Sequence, residues 1–167
     1  MKTSLARLTV LAFIGALLTF QAHAEITKTT LTTAKGEKFI AYSGGPSNAK
    51  TGIVVVHDWF GDSKFFRQSA ERLAKLGYRV IAVDYYNGES ATTHEGAGKL
   101  LGSLDRKSAL QKVDAAFNIL AKKQKQLASL SFSAGTDIAY QAGAKRSDIV
   151  AQALWYGYMP GRSKEKS

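Results

Sequence analysis

Four largely apolar runs punctuate the chain, and each is short enough to form a single strand. Because they are almost continuous, they are typical of strands covered on both faces, as in a parallel sheet. The runs span residues 52–57, 78–83, 127–132 and 149–158. Residues 25–42 instead alternate polar and apolar positions around Lys35-Gly36. That alternation predicts one or two edge strands joined by a turn.

Segments with apolar residues at helical spacing separate these runs. Residues 64–76 carry apolar side chains at intervals of three and four, and Gly77 follows where a helix commonly ends. Residues 104–123 predict a long amphipathic helix, and residues 134–145 predict a short helix rich in alanine. The alternation of strands and helices predicts an α/β fold, in which right-handed crossovers build a mostly parallel sheet with flanking helices.

The first 24 residues have the layout of a secretory signal peptide. Lys2 and Arg7 give a positive start, residues 8–20 are mostly apolar, and Ala22-His23-Ala24 provides the small residues of a cleavage site. We expect cleavage after Ala24, a periplasmic or secreted product, and no stable membrane insertion, because the apolar stretch is short for a transmembrane helix. The alternative is an uncleaved interfacial anchor. Residues 161–167 lose all periodicity and predict a disordered basic tail.

Composition excludes several classes of chemistry. The chain has 167 residues and no cysteine, so disulfides, thiol catalysis and cysteine metal sites are impossible. Its formal net charge is +10, but the lysines are scattered, and basic and aromatic residues do not interleave in a binding pattern. We therefore expect a solvated basic surface, with no nucleic-acid partner, no metal and no cofactor. Electrostatic attachment to anionic surfaces is an alternative that rests on net charge alone.

Ser133 is the strongest candidate for chemistry. It lies in the run Leu130-Ser131-Phe132-Ser133-Ala134-Gly135, between a predicted strand and a predicted helix. This resembles a nucleophile elbow, the sharp turn that presents a serine hydroxyl at the carboxyl edge of a sheet. Gly135 supplies the small residue after the nucleophile, whereas Ser131 replaces the usual glycine before it. The alternative is that Ser133 only caps the following helix, a position that serine favours.

A second motif follows the first central strand, at the same edge of the predicted sheet. It is His57-Asp58-Trp59-Phe60-Gly61, and further motifs occur along the chain: Val54-Val55-Val56, Leu76-Gly77-Tyr78, Val83-Asp84-Tyr85-Tyr86, Phe132-Ser133-Ala134-Gly135 and Trp155-Tyr156-Gly157. With these motifs in this order and spacing, the stretch 52–157 resembles the dienelactone hydrolase family of the α/β-hydrolase superfamily. The resemblance implies that residues 25–160 are a partial α/β-hydrolase domain.

The resemblance also implies roles for individual residues. Ser133 would be the nucleophile, where many family members carry cysteine, and the backbone amides of Trp59 and Ala134 would form the oxyanion hole. Asp58 falls where family members often have an acidic residue that contacts the resting nucleophile. The arginine that anchors the substrate carboxylate in the archetypal enzyme aligns near Gly88, which leaves the substrate class open.

The remaining polar and aromatic candidates have structural alternatives. We place His57, Tyr85 and Tyr86 at the pocket, where the tyrosines line or support it. His57 ends a buried strand, which favours a hydrogen-bonded structural role over a role as base. Ordinary exposure is the simpler interpretation of His94, and Asp84 at its strand end is more typical of a structural hydrogen-bonding residue than of a triad member.

In this superfamily the nucleophile is followed by an acid and then by a histidine. No histidine follows Ser133 in this chain. Asp137 and Asp148 lie on or just after the helix behind the elbow, which is the wrong place for the triad acid. The resemblance therefore implies a C-terminally truncated hydrolase that lacks the last strands and helices of the fold.

Two functions of different classes follow. The first is an ester or lactone hydrolase with a serine nucleophile, impaired because the triad acid and histidine are absent, and acting on a small-molecule ester or lactone. The second is a non-catalytic periplasmic binding or interaction protein on a hydrolase scaffold. In either case residues 149–158 would form an exposed apolar edge strand through which the chain could self-associate.

Overall fold

The six strands and four helices of the computed structural model lie within residues 25–157, the part of the chain that the structure describes. The strands are β1 (Thr27–Thr32), β2 (Lys38–Gly44), β3 (Thr51–Val56), β4 (Arg79–Val83), β5 (Gln126–Phe132) and β6 (Ile149–Trp155). The helices are α1 (Lys64–Lys75), α2 (His94–Gly102), α3 (Arg106–Ala121) and α4 (Gly135–Gly143). The signal peptide and the basic tail lie outside the described residues and stay predictions.

The strands form one mixed sheet in the order β1-β2-β4-β3-β5-β6. The neighbours β4-β3, β3-β5 and β5-β6 are parallel, whereas β1-β2 and β2-β4 are antiparallel. The mostly parallel, α/β-hydrolase-like sheet is thus confirmed. The expected edge hairpin exists, but only β1 lies at the edge, because β2 pairs with β4 on its other side.

Both faces of the central strands are buried, which explains why their sequences are continuously apolar. In β3, Val54 and Val56 pack on the side covered by α3 and α4, while Ile53 and Val55 pack on the side covered by α1. Successive side chains of a strand point to opposite faces. A strand with a helix layer on each face therefore needs apolar residues at every position.

Helix α2 is the element that the apolar pattern missed. The helix contains three glycines, Gly96, Gly98 and Gly102, and each is about 1 kcal/mol less favourable in a helix than alanine. The helix nevertheless begins with a cap, because the Thr93 side chain accepts a hydrogen bond from the Gly96 amide. Asp105 caps α3 in the same way, so that helix begins two residues later than its apolar pattern predicts.

Strand β6 lies at the other edge of the described sheet. Within residues 25–157 no strand pairs with its outer edge, and Val150 and Trp155 are 59% and 62% exposed. An unpaired edge strand without charge or proline is a template for pairing with another chain. No helix in the same part of the chain has both the length and the apolar character needed to cross a bilayer.

Candidate active site

Ser133 occupies a strained turn between β5 and α4. Its φ of 45° lies in the left-handed region, which costs a non-glycine residue about 1–2 kcal/mol. Its amide donates to the Trp155 carbonyl at 2.9 Å, and its carbonyl accepts from the Thr136 amide at 3.0 Å. The N-cap of α4 is Ala134, and no side chain caps that helix. The alternative that Ser133 is only a helix cap is therefore wrong, and the turn has the backbone conformation of a nucleophile elbow.

Small neighbours make this turn possible. A Cβ atom on Gly135 would lie 2.1 Å from the His57 carbonyl oxygen, so only glycine fits where α4 begins against the end of β3. Two residues before the nucleophile, Ser131 replaces the usual glycine. Its side chain is fully buried and donates to the Ala153 carbonyl at 3.4 Å. A serine is therefore accommodated at that position, inside the sheet.

The loop after β3 is held in place by short-range hydrogen bonds. The Asp58 carboxylate accepts from the Phe60 amide at 2.9 Å, and the Phe60 carbonyl accepts from the Ala91 amide at 2.9 Å. Gly61 has a φ of 85°, and a Cβ atom there would lie 2.5 Å from the Glu89 carbonyl oxygen. These contacts pack the loop against the chain that follows β4.

The amides predicted to form the oxyanion hole are available. Within residues 25–157, neither the Trp59 amide nor the Ala134 amide donates a hydrogen bond to another residue. Both residues line the same cavity as Ser133. The first amides of α4 add the partial positive charge of a helix N-terminus, which favours negative charge nearby. This arrangement is chemically suited to stabilise an oxyanion beside the Ser133 hydroxyl.

The cavity beside Ser133 has a volume of about 610 Å³ and opens to solvent. Its wall consists of aromatic, apolar and charged residues from α2, α3, α4 and the loops, namely Trp59, Leu101, Arg106, Ser133, Ala134, Asp137 and Tyr156. The Arg106 guanidinium pairs with the Asp137 carboxylate, which also accepts from the Gln141 side chain at 2.8 Å. This pairing leaves little net charge on the wall.

Four wall residues were not predicted from the sequence to lie at the cavity, and the structure explains why each was missed. Leu101 lies on α2, which the apolar pattern missed. Arg106 and Asp137 meet across the gap between α3 and α4, so no local pattern links them. Tyr156 follows β6 with a φ of 44°, and burial followed by the Asp58 carboxylate raises its pKa. Its place just after the last described strand, on the far side of Ser133 along the chain, gave no local signal that it would reach the cavity.

His57 is fully buried and both of its ring nitrogens have partners. The Tyr85 amide donates to Nε2 at 3.2 Å, and Nδ1 donates to the Asp58 carbonyl at 2.6 Å. The imidazole ring also stacks on Tyr85, with the ring centroids 3.7 Å apart. Because both nitrogens are occupied, the ring has no free nitrogen to act as a base for Ser133. The structural interpretation of His57 is confirmed.

The predicted pocket residues lie behind the cavity and do not form its wall. His57 and Tyr85 are buried, and Tyr86 packs on both of them. The Tyr85 hydroxyl donates to the Asp58 carbonyl at 3.0 Å, and burial raises its pKa well above the usual value. These three residues support the loop that carries Trp59. None of the three is among the wall residues given above, so Tyr85 and Tyr86 take the supporting position of the two that the sequence left open.

Three further sequence candidates have structural roles. The Asp58 carboxylate accepts from the Phe60 amide, and within residues 25–157 no hydrogen bond joins it to Ser133, so its contact with the resting nucleophile stays a prediction. Asp84 accepts from the Tyr86 and Gly88 amides at 3.1 and 2.7 Å, which confirms its structural interpretation. His94 is exposed, and its ring packs edge-on against the rings of Trp59 and Phe60.

Comparisons with known proteins agree with this geometry. The sequence profile of the dienelactone hydrolase family matches residues 39–167. A candidate carboxymethylenebutenolidase of Aquifex aeolicus is 27% identical over 73% of the chain and 58% of its own length. One from Yersinia pestis is 27% identical over 84% of the chain and 57% of its own length.

Solved structures show the same likeness. The structure of a candidate dienelactone hydrolase of Klebsiella pneumoniae has a TM-score of 0.66 and 26% identity, and it matches 85% of the chain and 63% of its own length. A Pyrococcus furiosus esterase, Pf2001, matches with a TM-score of 0.58 at 17% identity, over 77% of the chain and 51% of its own length, and shows the shared fold. The chain thus spans between about half and two thirds of the length of these proteins.

Proposed function

Since this chain belongs to the dienelactone hydrolase family, we propose that it is a hydrolase of small esters or lactones with Ser133 as its nucleophile. The observation that supports the proposal most directly is the backbone conformation at Ser133. A left-handed serine is held between two elements at the mouth of a cavity, at a cost in conformational energy. Strain at such a position is typical of functional sites, because it persists only where the surrounding structure enforces it.

The chemical step would be acyl transfer to the serine. The Ser133 oxygen attacks the carbonyl carbon and gives its proton to solvent water, and the negative charge that develops on the carbonyl oxygen is stabilised by the Trp59 and Ala134 amides. Collapse of this intermediate breaks the acyl C–O bond, so that the alcohol leaves or the lactone ring opens, and water then hydrolyses the acyl-serine. Removing one such donor from a hydrolase commonly costs about 2.7–4 kcal/mol of transition-state stabilisation. The apolar and aromatic wall residues would hold the uncharged part of a small substrate, which fits a lactone or a short acyl ester.

We further propose that catalysis by this chain is impaired. The family mechanism needs a histidine that takes the serine proton, and within residues 25–157 neither histidine hydrogen-bonds to Ser133. His57 is occupied on both nitrogens, and His94 packs on aromatic rings at the surface. Without a base, turnover would depend on the oxyanion hole and on substrate binding, which leave roughly 10³–10⁴-fold catalysis over water in serine proteases.

Labelling with a fluorophosphonate probe tests whether Ser133 is activated. The probe should label the parent chain at one site, and Ser133→Ala should abolish that label. Ser147→Ala is the matched control, because Ser147 is an exposed serine away from the cavity, and its loss should leave labelling unchanged. Equal labelling of the parent and Ser133→Ala would refute a serine nucleophile.

A second candidate function is ligand binding without catalysis. The observation that favours it is the cavity itself, which combines aromatic wall residues with a serine to which neither histidine of residues 25–157 hydrogen-bonds. Tryptophan fluorescence of Ser133→Ala, titrated with γ-butyrolactone, would report on Trp59. The background substitution Trp155→Phe removes the only other tryptophan. Saturable quenching that survives Ser133→Ala, without measurable turnover by the parent chain, would favour binding over hydrolysis.

We also propose export of the chain to the periplasm or beyond the cell. The proposal rests on the signal-peptide layout of residues 1–24. Mass spectrometry of the product from a secreting host should find Glu25 at the N-terminus. A product that retains residues 1–24 in the membrane fraction would favour the anchor instead.

A further inference from the structure

The strained turn at Ser133 needs contacts that hold it, and three hydrogen bonds converge on its backbone. The amide donates to the Trp155 carbonyl, as described above. The carbonyl accepts from both the amide and the hydroxyl of Thr136, and the hydroxyl bond is the shorter one at 2.6 Å. A left-handed conformation at a non-glycine residue persists only where its surroundings over-determine it. The Thr136 hydroxyl is the only side-chain group among these three partners.

The Thr136 side chain is itself held by a close neighbour. It is fully buried, and the backbone of Gly157 lies directly against it. A Cβ atom added to Gly157 would be 2.3 Å from the Thr136 Cβ atom and 2.4 Å from its Cγ2 atom. The Thr136 hydroxyl oxygen would be nearer still, at 1.7 Å. Gly157 thus packs against the same side of Thr136 that carries the hydroxyl, and this hydroxyl meets the Ser133 carbonyl.

The geometry points to Thr136 as a positioning residue for Ser133, with Gly157 as the surface that holds Thr136 in place. The inference rests on the proposed function, in which Ser133 is the nucleophile. Thr136 does not touch the cavity, since it is absent from the wall. It acts through the Ser133 carbonyl and sets the direction in which the neighbouring hydroxyl points. Thr136 contributes through the hydrogen bond of its hydroxyl and not through the volume of its side chain.

A matched pair of substitutions separates the hydroxyl from the shape of the side chain. Thr136→Val keeps the branched shape and removes the donor, whereas Thr136→Ser keeps the donor and removes a methyl group. We expect Thr136→Val to slow fluorophosphonate labelling of Ser133 by roughly three- to tenfold, the effect of one ordinary hydrogen bond. Thr136→Ser should be labelled at close to the parent rate. Both rates are measured well below the unfolding temperature of each variant.

Gly157→Ala provides a second route that does not alter Thr136 chemically. The added methyl group must displace the Thr136 side chain, so labelling should again be slower although the hydroxyl is present. Gly102→Ala is its control, because a methyl group there meets no atom within 4 Å. If Thr136→Val fails to fold, the comparison of these two glycine variants still tests the inference.

Amide hydrogen exchange at Ser133 distinguishes failure of the inference from failure of the proposed function. Thr136→Val should exchange the Ser133 amide faster than Thr136→Ser, while amides of β3 stay protected in both. If the parent chain is not labelled at all, the nucleophile proposal fails, and exchange alone decides the role of Thr136. Parent-like labelling and parent-like exchange in Thr136→Val would overturn the inference. Equal slowing by Val and Ser would also overturn it, because that pattern reports loss of packing.

Discussion

Replacing Gly135 by alanine should destabilise the chain, although alanine is the better helix former. Gly135 is the first residue of α4, and a Cβ atom there would lie 2.1 Å from the His57 carbonyl oxygen and 2.9 Å from Val56 Cγ1. Ordinary van der Waals contact begins at 3.4 Å. The obstacle is backbone at the end of a central strand, so it cannot rotate away as a side chain would. The start of the helix must therefore move off the strand.

Two opposing contributions set the magnitude of this effect. Alanine in place of glycine stabilises a helix by about 0.5–1 kcal/mol. Forcing extra atoms into a packed interior commonly costs about 1–3 kcal/mol, and here the clash is with backbone. Because backbone cannot move aside, the cost falls in the upper half of that range, so the free energy of unfolding should fall by about 1–2.5 kcal/mol once the helix gain is subtracted. That change lowers the unfolding midpoint by about 2–4 °C for each kcal/mol in a domain of roughly this size.

Thermal unfolding followed by circular dichroism measures this effect, and Gly98→Ala is the matched control. Gly98 lies inside α2, and a methyl group there meets no atom within 4 Å, so the same substitution should raise the midpoint. Opposite signs for the two variants are the expected result. Labelling of Ser133 should also slow in folded Gly135→Ala. A midpoint that rises equally in both variants would refute the proximity of α4 to the end of β3.

Three further predictions test other parts of the structure. In urea unfolding, His57→Phe should lower the free energy of unfolding by about 1–3 kcal/mol, because the buried Tyr85 amide loses its acceptor. Loss of fluorophosphonate labelling at Ser133 in the folded variant would instead indicate that His57 is the base. The Arg146 hydrogen bond lowers the pKa of Asp148 in the folded state below its ordinary value of 3.8. In urea unfolding, the parent should therefore be more stable than Asp148→Asn at pH 7, and this difference should disappear as the pH falls below about 4. A difference that persists at pH 2 would contradict this. We propose that the chain self-associates through the outer edge of β6. Sedimentation velocity should then show a smaller associated fraction for Val150→Lys than for the parent. An unchanged fraction would show that this edge is not the interface.

The motifs of the candidate site could be found from sequence because they are local. An elbow needs a serine with a small residue two positions later, and the loop after a strand needs only to follow that strand. Ser133, Trp59 and Ala134 therefore belong to short segments whose positions at one edge of a parallel sheet follow from strand order. The structural roles of His57 and Asp84 also followed from their places at strand ends.

The cavity wall could not be derived in the same way. Arg106 and Asp137 are 31 positions apart and meet only because α3 packs against α4. Leu101 depends on α2, whose glycines hide the helical pattern. Tertiary structure also decided between the two positions that the sequence left open for Tyr85, since a residue after a strand can point either into the cavity or under the loop. Its hydroxyl takes the second direction and reaches the Asp58 carbonyl.

Sequence alone determined the fold class and the identity of the candidate nucleophile, because hydrophobic periodicity and short motifs are properties of neighbouring residues. Tertiary structure alone decided which side chains surround Ser133, which histidine nitrogens are occupied, and why the turn is held by Thr136 and Gly157. Those facts depend on contacts between segments distant along the chain. Contacts of that kind arise from packing, whose geometry no local pattern records.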